Sequence, residues 1–176
     1  MKKVRLATVW LDGCSGCHMS VLDADAAVIA LASKIDLVYG PLVDAQEFPE
    51  SVDVTLVEGA VGSMEDVHKI QKIRLHSNVL VALGDCAVTS NVPSMRNTIP
   101  VNQLLNRIYI EGADEGKVVP ADGVPTLMKQ ARPLQDFVKV DVYIPGCPPP
   151  ARTILAMLND LLDARKPSAN PKAKWG

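Results

Sequence analysis

Two nearly unbroken apolar runs, "VDVTLVEGAV" at 52–61 and "NVLVAL" at 78–83, constrain this chain more than any other feature. A strand that is apolar at successive positions is covered on both faces, as in the middle of a parallel sheet flanked by helices. Between the two runs, 64–76 places Val67, Ile70, Ile73 and Arg74 at helical spacing. The same rhythm recurs on either side. Residues 3–11 alternate as a strand, 21–33 read as a helix with Asp23 and Asp25 near its positive end, and Ile35–Tyr39 is a short strand stopped by Gly40-Pro41. A late strand at 139–144 leads through Pro149-Pro150 into an apolar-faced helix at 151–165. Alternating strands and helices of this kind predict an α/β fold with a flavodoxin-like, doubly wound parallel sheet.

The region at about 87–138 breaks the rhythm. It is rich in Gly, Pro and Asn, with one modest apolar piece at 101–110. It reads as a long, partly helical excursion over the carboxyl edge of the sheet, a place where long loops tend to be functional. Residues 1–165 are expected to form one domain, with 166–176, "KPSANPKAKWG", as a tail that has no core pattern.

Composition excludes several classes. With 18 basic and 20 acidic residues the net charge is −2, so no basic field points to nucleic acid. No apolar run approaches the ~20 residues of a membrane span, and the charged, alternating start is unlike a secretory signal. The expected location is therefore the cytoplasm, where structural disulfides are rare. The four cysteines need another explanation.

Their positions supply one. Cys14 and Cys17 follow the first strand, Cys86 follows "NVLVAL" in "LGDCAVTS", and Cys147 follows the late strand in "IPGCPPP". In an open parallel sheet the carboxyl ends of the strands share one edge, and ligands bind there. Thiols separated by 68 residues (Cys17 to Cys86) and by 60 (Cys86 to Cys147) should therefore converge. Gly13, Gly16, Gly84 and Gly146 beside them allow close backbone approach, and their amides can point at sulfur. Pro145 and Pro148 stiffen the chain around Cys147.

Four thiolates suit a zinc ion or an iron–sulfur cluster. Structural zinc commonly uses two C-x₂-C knuckles, and a single ion about 2.3 Å from each sulfur would pull all the strand ends tightly together. One pair plus two distant single cysteines fits the wider cluster better. A C-x-x-C redox pair is a third reading, but it leaves Cys86 and Cys147 without a role. The fold also admits an FMN-binding electron carrier. Against that, "DGCSGC" lacks a hydroxyl-rich phosphate loop and aromatics make up only 4 % of residues, so FMN is not expected in this chain.

Taken together, "WLDGCSGC", "VEGAV", "GDCAVTSNVPSMRN" and "PGCPPP" resemble the small subunit of a [NiFe] hydrogenase. The similarity is to the short, single-cluster form found in soluble NAD-reducing and bidirectional enzymes, and it runs over about 4–165. It implies one [4Fe-4S] cluster on Cys14, Cys17, Cys86 and Cys147. It further implies an electron-relay role, with the Ni–Fe centre on a large partner subunit and with FMN and NAD on diaphorase-type iron–sulfur and flavin subunits. This chain has no fifth cysteine for nickel or for a second cluster. A related family, the cluster-bearing subunit beside the quinone site of complex I, has adjacent first cysteines; here Ser15-Gly16 intervene. The chain departs from many hydrogenase small subunits at Met19, where they carry a glutamate. Glu58 in "VEGAV" matches a family acidic residue at a strand end facing the cluster. His18 is a candidate for a hydrogen bond near the cluster, and Arg96 with Asn97 for ordering the loop behind Cys86 or meeting a partner.

Overall fold

The computed structural model describes residues 3–163. Its centre is a five-stranded parallel sheet. The strands are β1 (Val4–Trp10), β2 (Ile35–Tyr39), β3 (Val52–Glu58), β5 (Ser77–Leu83) and β7 (Val142–Ile144), in the order β2-β1-β3-β5-β7. Between β3 and β5 lie a short strand, β4 (Val61–Ser63), and the helix α3 (Met64–His76). Counting only the strands of the main sheet, this is the 2-1-3-4-5 order of flavodoxin-like folds. The expected fold class is borne out.

The register explains the two apolar runs. Val54 of β3 lies between Leu6 of β1 and Val79 of β5, and Leu83 of β5 pairs with Ile144 of β7. Val57, Leu80 and Ala82 face a core formed with Ile70 and Ile73 of α3. Leu56, Val81 and Leu83 face the opposite core, formed with Ile154 and Leu158 of the last helix, α6 (Ala151–Leu162). Both faces are buried, so successive residues must be apolar. A capping box starts α3: the Ser63 hydroxyl accepts from the Asp66 amide, and the Asp66 carboxylate accepts from the Ser63 amide.

Three elements differ from expectation. The run at 52–61 is not one strand: Gly59 turns at φ +94°, where a Cβ would meet the Leu11 carbonyl carbon at 2.8 Å, and β4 then leaves the main sheet. The stretch at 21–33 is two helices, α1 (Gly16–Leu22) and α2 (Ala26–Ala32), with Cys17 already in the first turn of α1. Asp23 closes α1, and Asp25 opens α2 at φ +52° without a side-chain capping bond, so neither plays the expected part at one helix start. The excursion at 87–138 is partly helical, as expected, but it also contributes a strand. It holds α4 (Asp85–Thr89) at its entrance, a 3₁₀ turn at Val92–Thr98, α5 (Val101–Asn106), a π-helical turn at Arg107–Glu111 and β6 (Leu127–Arg132). β6 pairs antiparallel with β4, a long-range contact that local patterning does not encode. The helix expected at 151–165 is observed to Leu162, and the expected tail lies outside the described residues.

Asp141 anchors the last strand. Its carboxylate accepts from the Leu80 amide at 2.9 Å and from Arg74 at 2.5 Å, and its own amide donates to the Leu80 carbonyl. Burial alone would raise this carboxyl, but the Leu80 amide and the Arg74 guanidinium outweigh it and hold it below the usual range. Such a group stabilises the fold above its unfolded pKa of about 3.9, and the contribution is lost as pH falls through the lowered folded value. Asp141→Ala should therefore cost about 1 kcal/mol at neutral pH, given solvent screening. In urea unfolding the difference between the two proteins should close in acid; a difference that persists unchanged there would contradict the assignment.

Candidate metal centre

The four cysteines come from three strand ends on one edge of the sheet, and specific contacts draw those ends together. Cys14 follows β1 in a turn where Ser15 adopts φ +63°, and the Gly16 amide donates to the Cys14 Sγ at 3.4 Å. Cys17 is buried in the first turn of α1. The loop after β5 crosses it so closely that a Cβ on Gly84 would lie 2.2 Å from the Cys17 Sγ; Gly84 also sits at φ +83°. No other residue fits there without displacing the thiol. Cys86 lies in the first turn of α4 and is buried, with the Val92 backbone amide favouring its ionised form.

Asp85 ties the Cys86 loop to the Cys147 loop. Its amide donates to the Gly146 carbonyl at 2.9 Å, and its carboxylate accepts from the Gly146 amide at 2.7 Å. The Ser20 hydroxyl of α1 donates to the Pro149 carbonyl at 2.6 Å, closing the triangle between the three loops. Sequence reasoning singles out neither residue. The one available sign is the position of Asp85 between a glycine and a cysteine at a strand end.

The thiols share one electrostatic neighbourhood. Burial pushes the Cys17 thiol well up from its ordinary range, and Glu58, Cys86, Cys14 and Cys147 push it further. Burial also raises Cys86, with Cys147, Cys14 and Glu58 adding to it and the Val92 amide opposing. Several sulfurs so placed resist ionisation unless a cation balances them, and a coordinating metal does so outright. The donor set and the glycine cradle fit a metal–sulfur group. Among the described residues, no three or more His, Cys, Asp or Glu side chains are gathered closely enough for a single ion.

Glu58 ends β3 and is buried, 1 % exposed, rather than solvated at a loop edge. It accepts from the His18 amide at 2.9 Å and contacts the His18 Nδ1 at 2.5 Å. The other ring nitrogen of His18 is buried without a hydrogen-bond partner among the described residues. Gly13 lets the first cysteine loop pass the β3–β4 turn, where a Cβ would stand 3.1 Å from the Gly59 Cα and 3.8 Å from the Glu58 Oε1. Arg96 bonds to the β4–β6 ribbon rather than to a cysteine. It donates to the carbonyls of Gly62 and Met128, while Asn97 exchanges two hydrogen bonds with Ala131, so the pair orders the β4–β6 ribbon.

These features suit a thiolate metal centre, and the family is clear. The model of the family described as NADH ubiquinone oxidoreductase, 20 Kd subunit, matches residues 14–161, and the chain belongs to that family. Within it the similar curated proteins are components of hydrogenases, as the sequence motifs implied. The chain is 36 % identical to a component of the F420-non-reducing hydrogenase vhu of Methanocaldococcus jannaschii, over 96 % of this chain and 59 % of that protein. It is 34 % identical to the delta component of the NAD-reducing hydrogenase HoxS of Cupriavidus necator, over 93 % of this chain and 80 % of that one. It thus spans about three fifths of the archaeal relative and most of the bacterial one. A chain in a solved NAD⁺-reducing [NiFe]-hydrogenase in the H₂-reduced state superposes with a TM-score of 0.93 at 37 % identity, covering 98 % of both chains. The [NiFeSe] hydrogenase of Desulfovibrio vulgaris Hildenborough, at 19 % identity and a TM-score of 0.63, shares the fold.

Exposure divides the thiols into two pairs, because Cys14 and Cys147 are exposed while Cys17 and Cys86 are buried. In metal-free chain under native conditions, iodoacetamide should modify the first pair at least about tenfold faster than the second, since reactivity follows thiolate fraction and access. Equal rates at all four would contradict the arrangement.

Proposed function

We propose that this chain is the electron-transfer subunit of a [NiFe] hydrogenase of the NAD-reducing kind, and that Cys14, Cys17, Cys86 and Cys147 hold one [4Fe-4S] cluster. The observation that carries this reading is the convergence of four thiols from three separated strand ends, in a chain that aligns along nearly its whole length with a chain of an NAD⁺-reducing [NiFe]-hydrogenase. When bound, such a cluster supplies a one-electron carrier.

The protein's own residues hold and tune that site. Cys17 and Cys86 anchor it from the buried side. The Gly16 amide donates to the Cys14 sulfur and the Val92 amide favours the charged form of Cys86, and such dipoles favour the more reduced, more negative state. Gly84 lets the loop after β5 pass close to both Cys17 and the Gly146 carbonyl, and Asp85 ties the Cys86 and Cys147 loops together. The exposed side of the site, at Cys14 and Cys147, is bordered along the chain by exposed apolar residues, Met19 beside Cys17 and Val92 and Met95 beyond Cys86. An apolar margin of this kind suits burial against a partner.

In this reading the large subunit bearing the Ni–Fe centre docks on that face, and diaphorase-type iron–sulfur and flavin subunits carry the electrons on to NAD. The four cysteines are all engaged, so nickel belongs to the partner and H₂ is not activated by this chain alone. Residues 1–165 act as one cluster-bearing domain in a reducing cytoplasm, where four thiols remain available for iron. Among the described residues no helix is long and apolar enough to cross a membrane. The family's description favours a second reading, a complex I-like cluster subunit. The spacer Ser15-Gly16 between the first two cysteines and the hydrogenase relatives weigh against it.

The test is spectroscopic. Purified anaerobically with its partners, the complex should show a broad brown absorbance attributable to this chain and an EPR signal that appears on reduction. Cys147→Ser should abolish or alter that signal while the chain still assembles. A colourless protein with one zinc, a structured yellow flavin spectrum, or a spectrum unchanged by the substitution would overturn the proposal.

A further inference from the structure

A cleft of about 820 Å³ lies beside the cysteine loops, between the end of β1 and the excursion. Its lining includes Trp10, Val101, Leu105, Tyr109, Val124 and Leu127, together with two carboxylates, Asp12 and Asp66. No Lys, Arg or His lines it among the described residues. The cleft and the first cysteine loop are mechanically joined, because the Trp10 indole donates to the Gly13 carbonyl at 3.0 Å.

The two acids differ in how they are satisfied. Asp66 accepts from the amides of Gly62 and Ser63 and is part of the α3 cap. Asp12 lies against the Gly62 backbone so closely that a Cβ there would fall 2.1 Å from its Oδ2, yet none of the described residues donates a hydrogen bond to its carboxylate. Arg96 is near enough to act on its charge, but the Arg96 guanidinium donates to the carbonyls of Gly62 and Met128 instead. A half-buried carboxylate in an apolar cleft, short of donors, is poorly compensated.

The chemistry of the lining selects the occupant. Two acids and no base disfavour a phosphate-bearing nucleotide. The apolar lining residues Trp10, Tyr109, Val124 and Leu127 are exposed, and a small molecule held at the carboxylates would leave them uncovered. The walls are fixed in advance by Arg96 and Asn97, and the π-helical turn at Arg107–Glu111 carries Tyr109 to the cleft. A pre-formed, largely apolar groove whose lining holds two acids and no base is suited to a protein segment bearing one cation.

We propose that this cleft receives an apolar segment of a partner protein carrying a lysine or arginine, whose cation pairs with Asp12. The inference rests on the reading of the chain as one member of a larger assembly. It adds a specific docking site, separate from the four cysteines. The segment covers the exposed apolar lining, and its cation supplies the donors that Asp12 lacks within its own chain.

The test compares the free chain with the purified assembly by carbodiimide labelling of carboxylates with glycine ethyl ester, read by peptide mass. Asp12 should label in the free chain and about tenfold less in the assembly, as expected for a residue buried at an interface. Asp12→Lys should weaken association at least about tenfold, and Asp12→Asn by less, the pattern of a charge pair rather than of lost packing. Circular dichroism checks that each variant is folded, and if Asp12→Lys is not, the labelling of the native protein decides. Equal labelling in the two states, unchanged association of folded Asp12→Lys, or protection in the free chain by a small molecule seen in native mass spectrometry would each overturn the proposal. An assembly that forms with its cluster spectrum intact while Asp12 stays labelled would sink this docking site alone. Failure to assemble with hydrogenase partners at all would sink the functional reading beneath it.

Discussion

Everything at the candidate centre depends on how closely the loop after β5 passes the thiol of Cys17. The parallel sheet delivers three strand ends to one edge, but strands in a sheet stand side by side and their loops do not meet unless something lets them. Gly84 does so: a single Cβ at that point would occupy the place of the Cys17 sulfur. From that contact the rest follows in order. Asp85, the next residue, hydrogen-bonds both ways with Gly146, which carries Cys147 in beside Cys86. Ser20 then ties α1 to the Pro149 carbonyl. Three loops become one rigid frame, as a site that must hold a multi-atom group in one geometry needs.

The frame places charge as well as atoms. Two thiols, Cys17 and Cys86, are buried and feel the other thiols, and a buried glutamate adds to the same negative field. Such a set is unfavourable to ionise without a cation, and in the proposed reading the metal of a metal–sulfur group supplies it. Glu58 and His18 form a pair behind it, with Glu58 almost fully buried and engaged by the amide and ring of His18. The exposed thiols Cys14 and Cys147 leave the other side accessible to partners, which is where an electron carrier has to be approached.

Much of this was legible in the sequence because it is written in local patterns. The runs around Val54–Val57 and Val79–Ala82 declared a parallel sheet covered on both faces, and parallel topology alone predicted that four distant cysteines would share an edge. What the patterns missed was non-local or stereochemical. The β4–β6 ribbon forms between segments more than sixty residues apart, and neither Val61–Ser63 nor Leu127–Arg132 alternates in a way that announces the pairing. The break between α1 and α2 falls in a stretch rich in good helix formers, because Cys17 already starts a helix that must end within two turns. Asp85 and Asp12 carry no motif of their own. Their importance comes from the Gly146 amide in one case and from the cleft beneath Tyr109 in the other.

The arrangement makes one statement about atoms that diffraction can check. Crystals of the anaerobically purified assembly, measured on both sides of the iron absorption edge, should show one compact iron feature within bonding distance of the sulfurs of Cys14, Cys17, Cys86 and Cys147. An iron feature that leaves any of those four sulfurs unbound, or a single peak at the zinc edge in its place, would contradict it.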